Sequence, residues 1–198
     1  MDRQEARKIA EEGGWLDKVQ TESDWIAVEQ GCYYSQKHSD HVIEFFKRFL
    51  CHYIGTWAGK PFDPLPWQVD CLSQIFGWLR PDGTRRFHTG YIEIAKKNGK
   101  STLAAAILLY LLVGDGEQGA QVFTAATSRD QAKICFNAAK EMVRKSPKLL
   151  ERLKILPSTN RITYPKTGSY LAALSSEAGV AEGLDASGIV IDELHYGS

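Results

Sequence analysis

One stretch limits the fold of this chain more than any other: Tyr91-Ile-Glu-Ile-Ala-Lys-Lys-Asn-Gly-Lys-Ser-Thr102. Tyr91 to Ala95 alternates and carries residues that suit a buried strand, so a strand is predicted there. Lys96 to Gly99 is polar and ends in a glycine that lets the chain turn with its amides outward. From Lys100 onward the run Leu103 to Leu109 predicts a helix. A strand, a tight loop and a helix opening on Gly99-Lys100-Ser101 form an anion site. Loop amides and the positive helix end would face the charge. Lys100 would reach outer phosphates, and the Ser101 hydroxyl would hold Mg²⁺. The same three residues also open ordinary strand-to-helix turns. A phosphate loop usually has a further glycine five positions before Gly99, and that position is Ile94. The flanking strand and helix supply the context the motif needs.

A second half of the site stands near the other end. Gly188-Ile-Val-Ile-Asp192-Glu193 is apolar at every position before its two acids. Such a run predicts a parallel strand buried on both faces. Carboxylates at its carboxyl end stand where open α/β sheets bind ligands. Asp192 would hold hydrated Mg²⁺, and Glu193 would orient and deprotonate a water. A strand followed by a polar turn is the plain alternative.

The chain has 198 residues, which suits one sizeable α/β domain or one domain with a small attachment. Lysine plus arginine number 24 and so do the acids, which argues against coating nucleic acid by bulk charge but does not exclude a local basic patch. Cys32, Cys51, Cys71 and Cys135 form no Cys-x-x-Cys pair and read as buried reduced thiols. His38 and His41 flank Ser39-Asp40, where a solvated helix start competes with a metal site. No stretch suits a membrane span or a secretory signal, and a cytoplasmic setting is expected.

In chain order, Met1 to Glu12 reads as a short amphipathic helix or a frayed arm, broken by Gly13-Gly14. Ser39 or Asp40 is expected to cap a helix whose apolar face runs from Val42 to Trp57 and ends at Gly59-Lys-Pro61. Pro66 suits another helix start. Gln68, just inside it, could cap the helix, or its amide could read the edge of adenine. Pro81 to Thr84 is a turn, and Arg85-Arg86 are expected on the solvated surface. Ala120 to Ala126 predicts a strand, with Thr127-Ser128 capping the next helix and Pro147 to Leu153 a shorter one. Arg161 to Tyr164 and Ser169 to Leu174 predict a hairpin about Pro165 to Gly168. Ser175 to Ser187 reads as a loop. Alternating strands and helices imply a mostly parallel sheet flanked by helices.

Pro66-Trp67-Gln68, Ala95 to Thr102, Thr124 to Ala132 and Gly188 to His195 together resemble the ATPase domain of the large terminase subunit of tailed bacteriophages. The resemblance runs from about Pro61 to the C-terminus and implies an α/β P-loop NTPase fold in residues 61–198; residues 1–60 are expected to form an N-terminal helical attachment. It implies ATP and Mg²⁺ as cofactors and hydrolysis coupled to moving double-stranded DNA into a preformed capsid. A homo-oligomeric ring, the portal, the small terminase subunit and the host cytoplasm follow as partners and setting. Gln68 would contact adenine. Lys96, Lys97, Asn98, Gly99, Lys100, Ser101 and Thr102 would form the phosphate loop, with Lys96 sensing the γ-phosphate. Ser101 and Asp192 would serve the metal, and Glu193 would activate water. Arg129 could face a neighbour's nucleotide or be a helix-surface arginine. Some terminases carry a trans-acting arginine before the acidic strand, where this chain has Ala181-Glu-Gly-Leu184. A nuclease site of clustered acids is not evident, and the family's later segments are expected beyond Ser198.

Asp192-Glu-Leu-His195 also fits a superfamily-two helicase-like ATPase, although the loop lacks that group's extra glycines. A module that binds nucleotide or a ring neighbour without turnover is the third reading.

Overall fold

A computed structural model describes residues 1–95, 98–126, 129–174 and 185–192. Contacts divide the chain into two compact units.

The first unit joins Met1–Glu44 to Pro64–Glu93. Helix α1 (Arg3–Glu12) starts as expected, with the Asp2 carboxylate accepting from the Glu5 amide, and buries Ala6 and Ala10. Helix α2 (Glu22–Glu29) opens on a capping box between Thr21 and Asp24. Strand β1 (Tyr33–Tyr34) leads to helix α3 (Gln36–Phe49). Helix α4 (Pro66–Gly77), with proline at its first turn, ends in β2 (Trp78–Leu79), antiparallel to β1. Trp78 is fully buried, with the rings of Trp15 and Tyr34 edge-on at 5.6 and 5.8 Å. Such pairs add about 1 kcal/mol each beyond their buried area.

Two expectations fail in this stretch of sequence. Arg86 is not solvated surface. Its guanidinium pairs with the Asp24 carboxylate at 2.6 Å and lies over the rings of Trp78 and Phe87. Ser39 does not cap a helix. It lies inside α3, buried, and its hydroxyl donates to the Ser73 hydroxyl at 2.9 Å.

The second unit joins Phe45–Asp63 to Ile94–Ser198. Here α3 stops at Phe49, well short of Trp57. Beyond Leu50 the chain doubles back: the His52 amide donates to Lys60 O, and the Phe62 amide donates to Leu50 O. Those bonds take the backbone out of helical pairing and leave Ile54 and Trp57 exposed. Helix α5 (Lys100–Leu109) runs into a π-helical turn, Tyr110–Gly114. Strand β3 (Gln121–Ala125) precedes α6 (Arg129–Lys145) and the short α7 (Pro147–Leu150). Then come β4 (Lys154–Leu156), β5 (Arg161–Tyr164), β6 (Ser169–Ala173) and β7 (Gly188–Ile191).

The sheet order is β4-β5-β6-β3-β7. Its core is parallel, with β3 between β6 and β7. The β5–β6 hairpin is the expected one, and β4 extends it as an unforeseen antiparallel edge. Helices α5 and α6 pack on each other and on the sheet, which gives the α/β layering that the sequence predicts. Ala132, Cys135, Phe136, Ala139, Met142 and Val143 recur at helical spacing on α6 and are all buried. A side chain such as Met142, fully buried, contributes about 2 kcal/mol.

The predicted strand at Tyr91 to Ala95 is not a strand. These residues pair with none of the described strands, and Tyr91 is exposed. A strand holds its extended form through a neighbour's ladder, and alternation alone does not supply one. Strand β7 is parallel as predicted but not covered on both faces. Ile189 and Ile191 are about half exposed, and β3 is its one partner among the described strands.

Candidate functional site

The site is built where α5 and β7 begin and end. Gly99 caps α5 in the left-handed region, at φ 78°, a conformation that side chains with a Cβ adopt at a cost. The next two residues, Lys100 and Ser101, therefore leave the first turn of the helix. Its amides, like those of any helix start, have no intrahelical acceptor. From the other direction, the parallel register of β3 and β7 aligns Ala125 with Ile191, and the Asp192 amide donates to Ala125 O. Gly188 starts β7 against Leu111. A Cβ there would come within 2.7 Å of a Leu111 methyl, so glycine lets the strand lie this close.

These two elements bring three predicted residues together. The Lys100 ammonium lies 3.2 Å from Asp192 Oδ1. The Ser101 hydroxyl donates to Asp192 Oδ2, also at 3.2 Å. Asp192 is buried, whereas the Lys100 side chain is partly exposed, so the cation reaches solvent and the anion is held. A carboxylate and a hydroxyl side by side are hard oxygen donors of the kind Mg²⁺ takes, and an adjacent ammonium suits a phosphate. The residues present thus fit a nucleotide phosphate with its metal.

A fourth residue was not anticipated. The Cys135 thiol, fully buried on α6, donates to Asp192 Oδ2 at 3.3 Å. Burial, then the charge and hydrogen bond of Asp192, push the Cys135 thiol up to about 12, so it remains a neutral donor at ordinary pH. The signal was present: Cys135 falls among small residues on the core face of α6, three after Ala132 and four before Ala139.

The remaining predicted residues fall as follows. Asn98 is exposed just before Gly99, and Thr102 is half-buried in the first turn of α5. Arg129 is the first residue of α6. Lys96, Lys97 and Glu193 lie outside the described residues, as do Thr127-Ser128 and Ala181-Glu-Gly-Leu184. Gln68 belongs to the first unit. It is buried at the start of α4, and its Oε1 accepts from the Leu65 amide at 2.9 Å, so it does cap the helix. His38 Nδ1 is 2.8 Å from the Ser35 hydroxyl. Among the described residues no group of His, Cys, Asp or Glu is arranged to hold a metal by itself. All four cysteines are free thiols, but only Cys135 is fully buried. No helix among the described residues is long and apolar enough to cross a membrane.

Residues 66–197 match the family model for the terminase large subunit, ATPase domain. The chain is 36% identical over 155 residues to the terminase large subunit of Enterobacteria phage HK97, a match that covers 78% of this chain and 30% of that protein. The crystal structure of the HK97 bacteriophage large terminase is similar with a TM-score of 0.63 and 34% identity, over 77% of this chain and 30% of that one. The chain thus spans about a third of the length of that relative.

Proposed function

The chain belongs to the terminase large-subunit ATPase-domain family, and from that premise we propose that it hydrolyses ATP to drive double-stranded DNA into a preformed capsid. The observation that carries the reading is the convergence of Lys100 and Ser101 on Asp192. The Lys100 ammonium lies beside Asp192. An incoming triphosphate would draw it toward the β- and γ-oxygens, where it offsets charge developing in the transition state. The amides that follow Gly99, with Lys97, Asn98 and Thr102, would line the phosphates. Ser101 and Asp192 would hold Mg²⁺, whose chemistry when bound is to neutralise phosphate charge. Glu193 would accept the proton of the attacking water, and Lys96 would contact the γ-phosphate. Arg129 remains the candidate for a contact with a neighbouring subunit's nucleotide. Gln68 would read adenine. With Oε1 engaged in the helix cap, its Nε2 would donate to the base.

Charge distribution supports a DNA partner in spite of the zero net charge. Between Lys140 and Lys166, lysine and arginine outnumber acids eight to two. In that stretch a cleft of roughly 460 Å³ is lined by Arg152, Lys154, Tyr164 and Lys166, with Glu151 the one acid. Such a concentration suits a phosphate backbone. A homo-oligomeric ring working with the portal and small subunit in the host cytoplasm completes the proposal.

Phosphate release by the full-length protein, with and without duplex DNA, tests it. Turnover that needs Mg²⁺ and is lost in Glu193→Ala is the expected result. Turnover unchanged by that substitution would remove Glu193 from the role of base. Strand displacement during turnover would favour a helicase over a packaging motor.

A further inference from the structure

A carboxylate that serves a metal ion must keep one orientation while its surroundings change. Among the partners of the Asp192 carboxylate are Lys100 on Oδ1, and Ser101 and Cys135 on Oδ2. On the function proposed above, the first two are claimed by the ligand, Lys100 by phosphate and Ser101 by the cation. Cys135 is claimed by neither. It is fully buried on α6, between the buried Ala132 and Ala139, so helix packing fixes where its sulfur lies.

We propose that Cys135 is a positioning residue: its thiol holds the Asp192 carboxylate in its metal-facing orientation before and after nucleotide enters. The thiol is a weak donor, but here it acts on a buried carboxylate, where a single donor biases the side-chain torsion. It does not touch substrate or metal, and it acts through Asp192 alone. This inference rests on the nucleotide reading of the site.

The test uses ADP carrying a fluorescent N-methylanthraniloyl group, with Mg²⁺ titrated at fixed nucleotide, and needs no turnover. In Cys135→Ala and Cys135→Val the Mg²⁺ midpoint should rise about three- to tenfold, the equivalent of one lost hydrogen bond of ordinary strength, as suits a weak thiol donor. Cys135→Ser, which keeps a donor, should stay within about twofold of wild type. Affinity for the labelled nucleotide in EDTA should be the same in all four proteins. Valine fills the volume that alanine leaves empty, so a folding loss in one variant leaves the other to be read. Unchanged midpoints in the alanine and valine variants would overturn the inference. So would a serine variant as weak as valine, since packing and not donation would then be at stake. If wild type binds the labelled nucleotide without any effect of Mg²⁺, the metal reading of Ser101 and Asp192 fails first and takes this inference with it.

Discussion

The ammonium of Lys100 and the carboxylate of Asp192 form an ion pair between the first turn of one helix and the end of one strand. On the proposed function, phosphate and the Asp192 carboxylate would compete for that one cation. If Lys100 donates to the phosphates as proposed, turnover by full-length Lys100→Ala should fall by about two powers of ten or more. Lys100→Arg should not restore it, because a planar guanidinium cannot occupy the path of a point ammonium. A variant at this position with wild-type phosphate release would show that the loop does not hold the reacting phosphates.

Ser101 and Asp192 should separate metal from nucleotide. Ser101→Ala and Asp192→Asn each remove an oxygen donor of the kind Mg²⁺ prefers. The Mg²⁺ concentration for half-maximal phosphate release should rise about tenfold or more in each. Nucleotide affinity in EDTA should change little in Ser101→Ala. Equal loss of affinity with and without Mg²⁺ would mean that Ser101 contacts phosphate directly.

The parts legible in the sequence were those whose cause is local. A run such as Leu103 to Leu109 specifies a helix from its own propensity, and the turn at Gly168 specifies its hairpin. The convergence of Lys100 and Ser101 on Asp192 was legible from two local signals, a helix that starts after Gly99 and a parallel strand that ends at its acid. What was missed depends on distant partners. Tyr91 to Ala95 has the alternation of a strand but lacks a ladder among the described residues. The apolar spacing through Trp57 imitates a helix, yet Gly55 and Gly59 have positive φ and the backbone doubles back. Arg86 reads as surface until Asp24, 62 positions away, is placed beside it. Cys135 joins the site only through a residue 57 positions away.

That arginine pair makes a stability prediction for the first unit. Both side chains are nearly buried, and the Asp24 carboxylate also accepts from the Thr21 hydroxyl and the amides of Gln20 and Thr21. Burial alone would raise the Asp24 carboxyl, but Arg86, Thr21 and the two amides together hold it below its ordinary 3.8. Arg86→Ala leaves that charge buried without its partner and should cost about 3 kcal/mol in denaturant unfolding. A depressed folded value stabilises the protein above the unfolded carboxylate range, and that contribution is lost as pH falls through the folded value. The gap between wild type and Arg86→Ala should therefore be full near neutral pH and shrink below pH 3.8. A gap independent of pH would assign the loss to the rings under the guanidinium.

The basic segment makes the last prediction. On β4 and β5, Lys154 pairs with Thr163 and Leu156 with Arg161, so Lys154 and Arg161 share one face of the hairpin. Ile162 points the other way and is fully buried. The cationic face is thus turned from the core by the period of the strand, and Lys166 follows in the turn beyond Tyr164. If duplex DNA lies here, each lysine that neutralises a phosphate releases about 0.9 counterion. Lys154→Ala with Lys166→Ala should weaken duplex binding and lower the slope of log affinity against log salt by about 1.8. Both substitutions lie apart from Lys100, Ser101 and Asp192, so phosphate release without DNA should remain at the wild-type rate. Fluorescence anisotropy of a labelled duplex over a salt series measures the slope. A slope unaltered by the double substitution would place the DNA on another surface.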